Sequence, residues 1–277
     1  MPSDRTSAGD PVRTLALLWR DPSATPRRGP ARGLSVDAVV DAAVTLADGE
    51  GLAAVTMRRV AQALEVVPMT LYTYVPGKAE LLDLMLDATY ARMERADSTG
   101  EPWRKRLAAI ARENRALFEA HPWAAAVSTL RPSLGPGSIA KYEHELAALD
   151  GLGLSDTEMD DCLTHLLSFV QANARAAIDA NETRAADGLS DQQWWDRAGP
   201  LLARVLDPDA FPLAVRVGSA AGAARGSAHD PGHAFRFGLA RVLDGLAALI
   251  EPARAVDTGE RPPGPDPTPD SAPSPAP

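Results

Sequence analysis

Apolar residues recur along this chain at spacings of three and four, the period of one face of an α-helix. Val36, Val39, Val40, Ala43, Val44 and Ala47 follow that spacing behind Ser35, whose hydroxyl suits an N-cap, and Gly49 with Gly51 is expected to stop the helix. Thr56 is placed to cap a short helix over 56–64. Pro68 lacks the N–H that a first helical turn leaves unpaired, so it opens another over 68–74. Pro76-Gly77 closes it, and Lys78 begins a longer helix carrying Leu81, Leu82, Met85 and Leu86. Further stripes follow at Trp103 with Leu107, Ile110, Leu117 and Phe118; at Tyr142, Leu146 and Leu149; from Met159 to Ala177; at Trp194, Leu201, Leu202 and Val205; and from Phe235 to Ile250. The segment FPLAVRVG (211–218) alternates as a strand does, but it has no second strand to pair with and reads as a loop or short helix. The fold class is all-α.

The ends behave differently. Residues 1–32 hold Pro11, Pro22, Pro26 and Pro30 among charged residues and read as an irregular extension, with LALLW at 15–19 as a short apolar anchor. Residues 253–277 read as a disordered tail, because half of the last 16 residues are proline and a helix cannot form there. Between them the pattern divides into a helix-turn-helix domain over 33–82 and a larger helical domain over 83–252.

Composition narrows the function. The net charge of −9 excludes a globally basic nucleic-acid coat, yet Arg58, Arg59 and Lys78 stand against Glu65 alone between residues 51 and 78. Such a local basic patch can hold phosphates whatever the total charge. No apolar run approaches the roughly 20 residues that span a bilayer, the N-terminus has no signal-like apolar region, and Cys162 is the one cysteine. A cytoplasmic protein without membrane or disulfides is expected. The five histidines form no metal signature, because Pro231 and Gly232 interrupt the helix that would align His229 with His233. Neither a phosphate-binding Gly-rich loop nor a Gly-x-Ser-x-Gly elbow is present. Catalysis, metal and cofactor are therefore not expected.

The two short helices over 56–64 and 68–74 are separated by three residues, the helix-turn-helix arrangement in which the second helix enters the major groove. Thr70, Tyr72, Tyr74 and Lys78 offer hydroxyls and an ammonium for phosphates and base edges. Arg27, Arg28 and Arg32 read as solvated linker charge, or as an arm for the minor groove.

In TMRRVAQALEVVPMTLYTYVPGKAELLDLML the sequence resembles the DNA-binding domain of the TetR family of transcriptional regulators. Arg58, Ala61 and Leu64, then Leu71-Tyr72-Thr73-Tyr74-Val75, Lys78 and Leu81-Leu82 carry the resemblance in register. It implies that Thr70 and Tyr72 meet phosphates, that Tyr74 and Arg58 reach bases or phosphates, and that Lys78 clamps the DNA backbone. Thr73 lies in the same helix. Pro68 and Met69 would make only apolar contacts with bases. Glu65 stands where the family has glycine. A weaker resemblance to the tetracycline repressor's ligand-binding domain runs through HPWAAAVSTLRPSLGPGSIAKYEHELAALDGLGLS, with Val127 at the place of a metal-binding histidine, so a ligand other than magnesium–tetracycline is implied.

These resemblances imply a homodimer that binds double-stranded operator DNA, most simply as a repressor, and is released by a small-molecule effector. Dimerisation is expected through helices near 157–179 and 233–250. Trp123, Arg131, Tyr142, His144 and Trp194 are the pocket candidates. Asn173 is either a pocket group or a register-setting polar residue, and Trp123 has a packed indole as its structural alternative. A TetR-like activator, or a helical adaptor whose N-terminal domain meets a protein, is the competing reading.

Overall fold

The computed structural model describes residues 6–7, 9–21, 34–127, 131–225 and 230–257. Among these residues the secondary structure is helical throughout, with twelve α-helices. Arg27, Arg28, Arg32, His229 and the proline-rich end beyond residue 257 lie outside the described residues.

The N-terminal domain is built from α2 (Val36–Glu50), α3 (Met57–Ala63), α4 (Pro68–Leu71) and the first turns of α5 (Lys78–Ala91). Ser35 caps α2 by accepting from the Ala38 N–H, and Thr56 caps α3 by accepting from the Arg59 N–H. The α2 helix passes through Gly49 and stops at Gly51, whose φ of 79° favours a residue without Cβ. Val39, Val40, Ala43, Val60, Ala61, Leu71, Val75 and Leu81 close a shared core, so the apolar spacing in the sequence marks the face that is buried.

The C-terminal domain continues through α6 (Trp103–Ala120), α7 (Pro122–Ala126), α8 (Pro136–Ala147), α9 (Asp156–Asp187), α10 (Asp191–Val205), α11 (Pro212–Arg225) and α12 (Pro231–Asp257). Helices α6, α9 and α12 pack together, with Phe169 of α9 stacked on Phe235 of α12 at a ring separation of 5.9 Å. Gly238 permits that approach, since a Cβ there would lie 2.4 Å from the Phe169 ring. Beyond Ala174 the α9 helix has no buried residue, and α10 has none along its whole length.

Three segments differ from their sequence expectation, one being 253–257, expected within the disordered tail, where the chain continues α12 past Pro252. Residues 212–218 of the segment FPLAVRVG belong to the 14-residue helix α11, not to a loop or short helix, because no strand partner competes for their backbone groups. The extension contains α1 (Pro11–Leu18), capped by Asp10 and packed on α5, with Leu18 in the core, so the stretch read as irregular is helical in part.

Candidate nucleic-acid interface

The α3–turn–α4 unit is fixed from inside by Val60, Ala61, Leu71 and Val75, all almost completely buried. The turn closes as a Schellman motif: the Val66 N–H bonds the Ala61 carbonyl at 3.0 Å and the Glu65 N–H bonds the Gln62 carbonyl at 3.1 Å. Glu65 occupies the left-handed position of that motif with φ 55°. This is the place where the sequence departs from the family's glycine.

With Leu71 and Val75 facing inward, the opposite side of α4 is presented outward. Pro68 and Thr73 are exposed, Met69 is 74% exposed and Tyr72 is 43% exposed. Thr70 is half-buried, and the Thr73 hydroxyl donates to the Thr70 carbonyl at 2.6 Å, which fixes its oxygen at the surface. Tyr74 is half-buried and shares its ring with the core. The two neighbouring arginines have separate roles. Arg59 makes a two-pronged bond to Glu50 of α2 at 2.7 and 2.6 Å, whereas Arg58 is exposed in the first turn of α3. Lys78 is half-buried in the first turn of α5, where the exposed N–H groups favour an anion. The arrangement offers cationic, hydroxyl and apolar groups around one short helix, as groove readers require.

Carboxylates that the apolar pattern did not single out tie this unit to the larger domain. Glu80, Asp83 and Asp87, at spacings of three and four, are buried on α5. Asp83 accepts from the Ser7 N–H at 2.9 and 3.1 Å, and burial pushes its pKa from 3.8 to about 6 against the lowering effect of that bond. Asp87 accepts from the Ser138 N–H at 2.8 Å, at the start of α8. Asp48 of α2 accepts from Trp123 Nε1 at 2.7 Å and meets His121 Nδ1 at 2.8 Å. The sequence signal was present in LLDLMLD, where acids interrupt an otherwise apolar run and need buried donors.

The six effector candidates do not converge. Trp123 is buried and bonded to Asp48, as the packed-indole alternative has it. Arg131 is exposed, and its carbonyl accepts from the Thr6 hydroxyl. Tyr142 is exposed and donates to Asp160 at 2.7 Å, while His144 Nε2 meets Glu113 at 2.9 Å. Asn173 is half-buried on α9. Trp194 is exposed, stands edge-on to Trp195, and borders a cavity of about 250 Å³ beside Arg184 and Asp191. A larger cavity of about 700 Å³ lies between α10 and α11, lined by Trp195, Leu202, Leu206 and Val215 with small residues between them. The buried polar residues of the interior are consumed by one another: Lys141 and Asn114 both bond Glu145 at 2.6 Å, and Lys141 lies over the Tyr90 ring.

Comparison with known proteins agrees with this geometry. Residues 39–85 match the family described as bacterial regulatory proteins, tetR family, and residues 97–250 match the tetracyclin repressor-like C-terminal domain. The chain is 39% identical to the HTH-type transcriptional repressor DrrR1 of Streptomyces coeruleorubidus over 91% of each chain. It is 27% identical to the class E tetracycline repressor protein of Escherichia coli, over 79% of this chain and 93% of that protein. The structure of the Streptomyces coelicolor TetR family protein ActR in complex with actinorhodin superposes with a TM-score of 0.65 at 27% identity, covering 78% of this chain and 97% of ActR. No helix among the described residues is long and apolar enough to cross a membrane. The chain belongs to the TetR family of ligand-responsive transcriptional regulators, whose members bind operator DNA as dimers.

Proposed function

We propose that this protein is a cytoplasmic repressor without catalytic activity, whose homodimer reads a palindromic operator through Arg58, Pro68, Met69, Thr70, Tyr72, Thr73, Tyr74 and Lys78. The observation that carries the reading is the two-sidedness of α4: Leu71 is fully buried while Met69 and Tyr72 are exposed. Dimerisation runs through α9 and α12, the latter presenting Phe237 and Leu249 outward. Two heads reading half-sites one helical turn apart stand about 34–36 Å from each other. A modest rotation of either head then loses register.

The effector is a small molecule other than magnesium–tetracycline. Two observations support this: Val127 is buried and apolar, and the related ActR was solved with actinorhodin. Among the sites in this chain the α10–α11 cavity has the apolar lining and volume of a ligand site, which typically spans about 300–1,000 Å³. Trp194 stands beside it on the same helix; Trp123, Arg131, Tyr142, His144 and Asn173 serve as candidates elsewhere in the domain.

Binding to a palindromic fragment flanking the protein's own gene, followed across a salt series, tests the DNA reading. Tyr72→Phe/Lys78→Ala is expected to bind about tenfold more weakly, with a salt slope shallower by about one. Equal binding by both proteins would make the tyrosine and lysine scaffold. A flat salt response of the parent would favour the protein-adaptor reading.

A further inference from the structure

The segment before α2 lies outside both family matches, yet it makes specific contacts with both domains. The Ser7 N–H is held by both oxygens of Asp83 on α5, the helix that begins at Lys78 beside the recognition unit. Ser7 takes a left-handed conformation, φ 52°, to make that contact. Gly9 passes against Glu80 so closely that a Cβ would lie 2.2 Å from the carboxylate. Leu18 of α1 enters the core, and Arg20 pairs with Asp37 of α2. The same segment also grips the loop that leads into α8: the Thr6 hydroxyl donates to the Arg131 carbonyl, the Ser7 hydroxyl to the Pro132 carbonyl at 3.2 Å, and Trp19 Nε1 to the Leu134 carbonyl at 2.9 Å.

We propose that residues 6–7 and 9–20 form a strap that sets the angle of the DNA-reading head by clamping α5 and α2 to the 131–134 loop of the effector domain. One short segment bonded to both sides restrains relative motion, because the head cannot rotate without breaking bonds at one end. The loop it grips joins α8, which Asp87 ties to the same helix by a different contact. The strap therefore adds a third tether to a hinge already held by Asp87 on Ser138 and by Asp48 on Trp123 and His121. A change in the effector domain that moves the 131–134 loop reaches the head through the strap and the Asp87 contact, and a strap released by a partner or by cleavage leaves the head on the Asp87 and Asp48 contacts. The energetic requirement is that the strapped and released states differ in head position, which is a coupling free energy between the segment and the DNA.

The proposal rests on the dimeric regulator reading, and a distance between the two heads separates the two. Cys162→Ser removes the native thiol, and Gln62→Cys on the exposed side of α3 carries a spin label in each protomer. Three strap variants are compared with this parent. Ser7→Pro removes both the N–H donor and the left-handed backbone. Trp19→Phe removes one bond and keeps the ring, and the third variant deletes residues 1–21. Size-exclusion chromatography and circular dichroism establish that each remains a folded dimer; Trp19→Phe is the variant to rely on if the deletion does not fold. The expected result is a head-to-head distance distribution that broadens about twofold or shifts in Ser7→Pro and in the deletion, with a smaller effect in Trp19→Phe. Dimers with the parent's distribution in every folded variant overturn the strap and leave the regulator reading intact. A monomeric parent overturns the dimeric reading itself.

Discussion

Glu65 holds a backbone conformation that favours glycine, and it holds it at the turn on which the whole reading unit depends. A side chain with φ near 55° costs about 1 kcal/mol relative to glycine. Glu65→Gly is therefore expected to raise the urea midpoint by an amount equivalent to about 1 kcal/mol; an unchanged or lower midpoint would show that the glutamate side chain compensates the strain. Asp83 makes a second single-residue prediction. Its folded pKa of about 6 lies above the ordinary 3.8, so the protonated form is favoured by folding. The stability this contributes is complete below about pH 4 and lost as the pH rises through 6. Asp83→Asn should remove that loss, leaving the variant the more stable of the two at pH 7 and no better at pH 4 in urea titrations. The exposure of Tyr72 was legible in the sequence, since Pro68 and Pro76-Gly77 bracket a short segment whose core positions fall to Leu71 and Val75. Asp48 and Asp83 were not, because their partners lie 75 and 76 positions away.

Elements were legible where an apolar face repeats over several turns. The start of α3 followed from Thr56, a local signal, whereas α9 runs past the Met159–Ala177 stripe at both ends, opened by a Ser155–Glu158 capping box that the stripe does not show. Helix α1 escaped because five apolar residues between prolines carry no periodicity, although Asp10-Pro11 is a strong helix start. Helix α11 escaped because small residues dominate its second half and no residue-scale pattern distinguishes its faces. How elements meet was less legible still. The start of α8 lies so close to α5 that a Cβ on Gly137 would be 2.0 Å from the Asp87 carbonyl oxygen and 2.9 Å from the Ala91 nitrogen. Backbone cannot yield as a side chain can, so Gly137→Ala should destabilise by about 3 kcal/mol. Thermal unfolding of this single variant measures it, and a loss below about 0.5 kcal/mol would mean that α8 slides along α5 without penalty.

At the scale of the molecule, the sequence separated a reading domain from a larger helical domain, while the effector site could not be assembled from it. Trp123, Tyr142 and His144 were plausible pocket groups by type, and each has a partner that the linear order conceals: Asp48, Asp160 and Glu113. Whether two aromatic or polar groups share a cavity depends on helix crossings, which periodicity does not encode. The α10–α11 pair carries the largest consequence. Trp194, Leu201, Leu202, Val205, Leu213 and Val217 are all exposed there, on helices whose described residues are at most half-buried. Outward apolar groups of this kind mark a surface that associates, here alongside the pairing proposed for α9 and α12. Folding and pairing should then be one equilibrium, with a melting temperature that climbs by roughly 1 °C for each tenfold rise in protein concentration. A lone, newly made chain would be poorly stabilised and open to proteolysis. Silencing by such a protein would set in steeply with its cellular level, so that the amount synthesised acts as a threshold before any effector arrives.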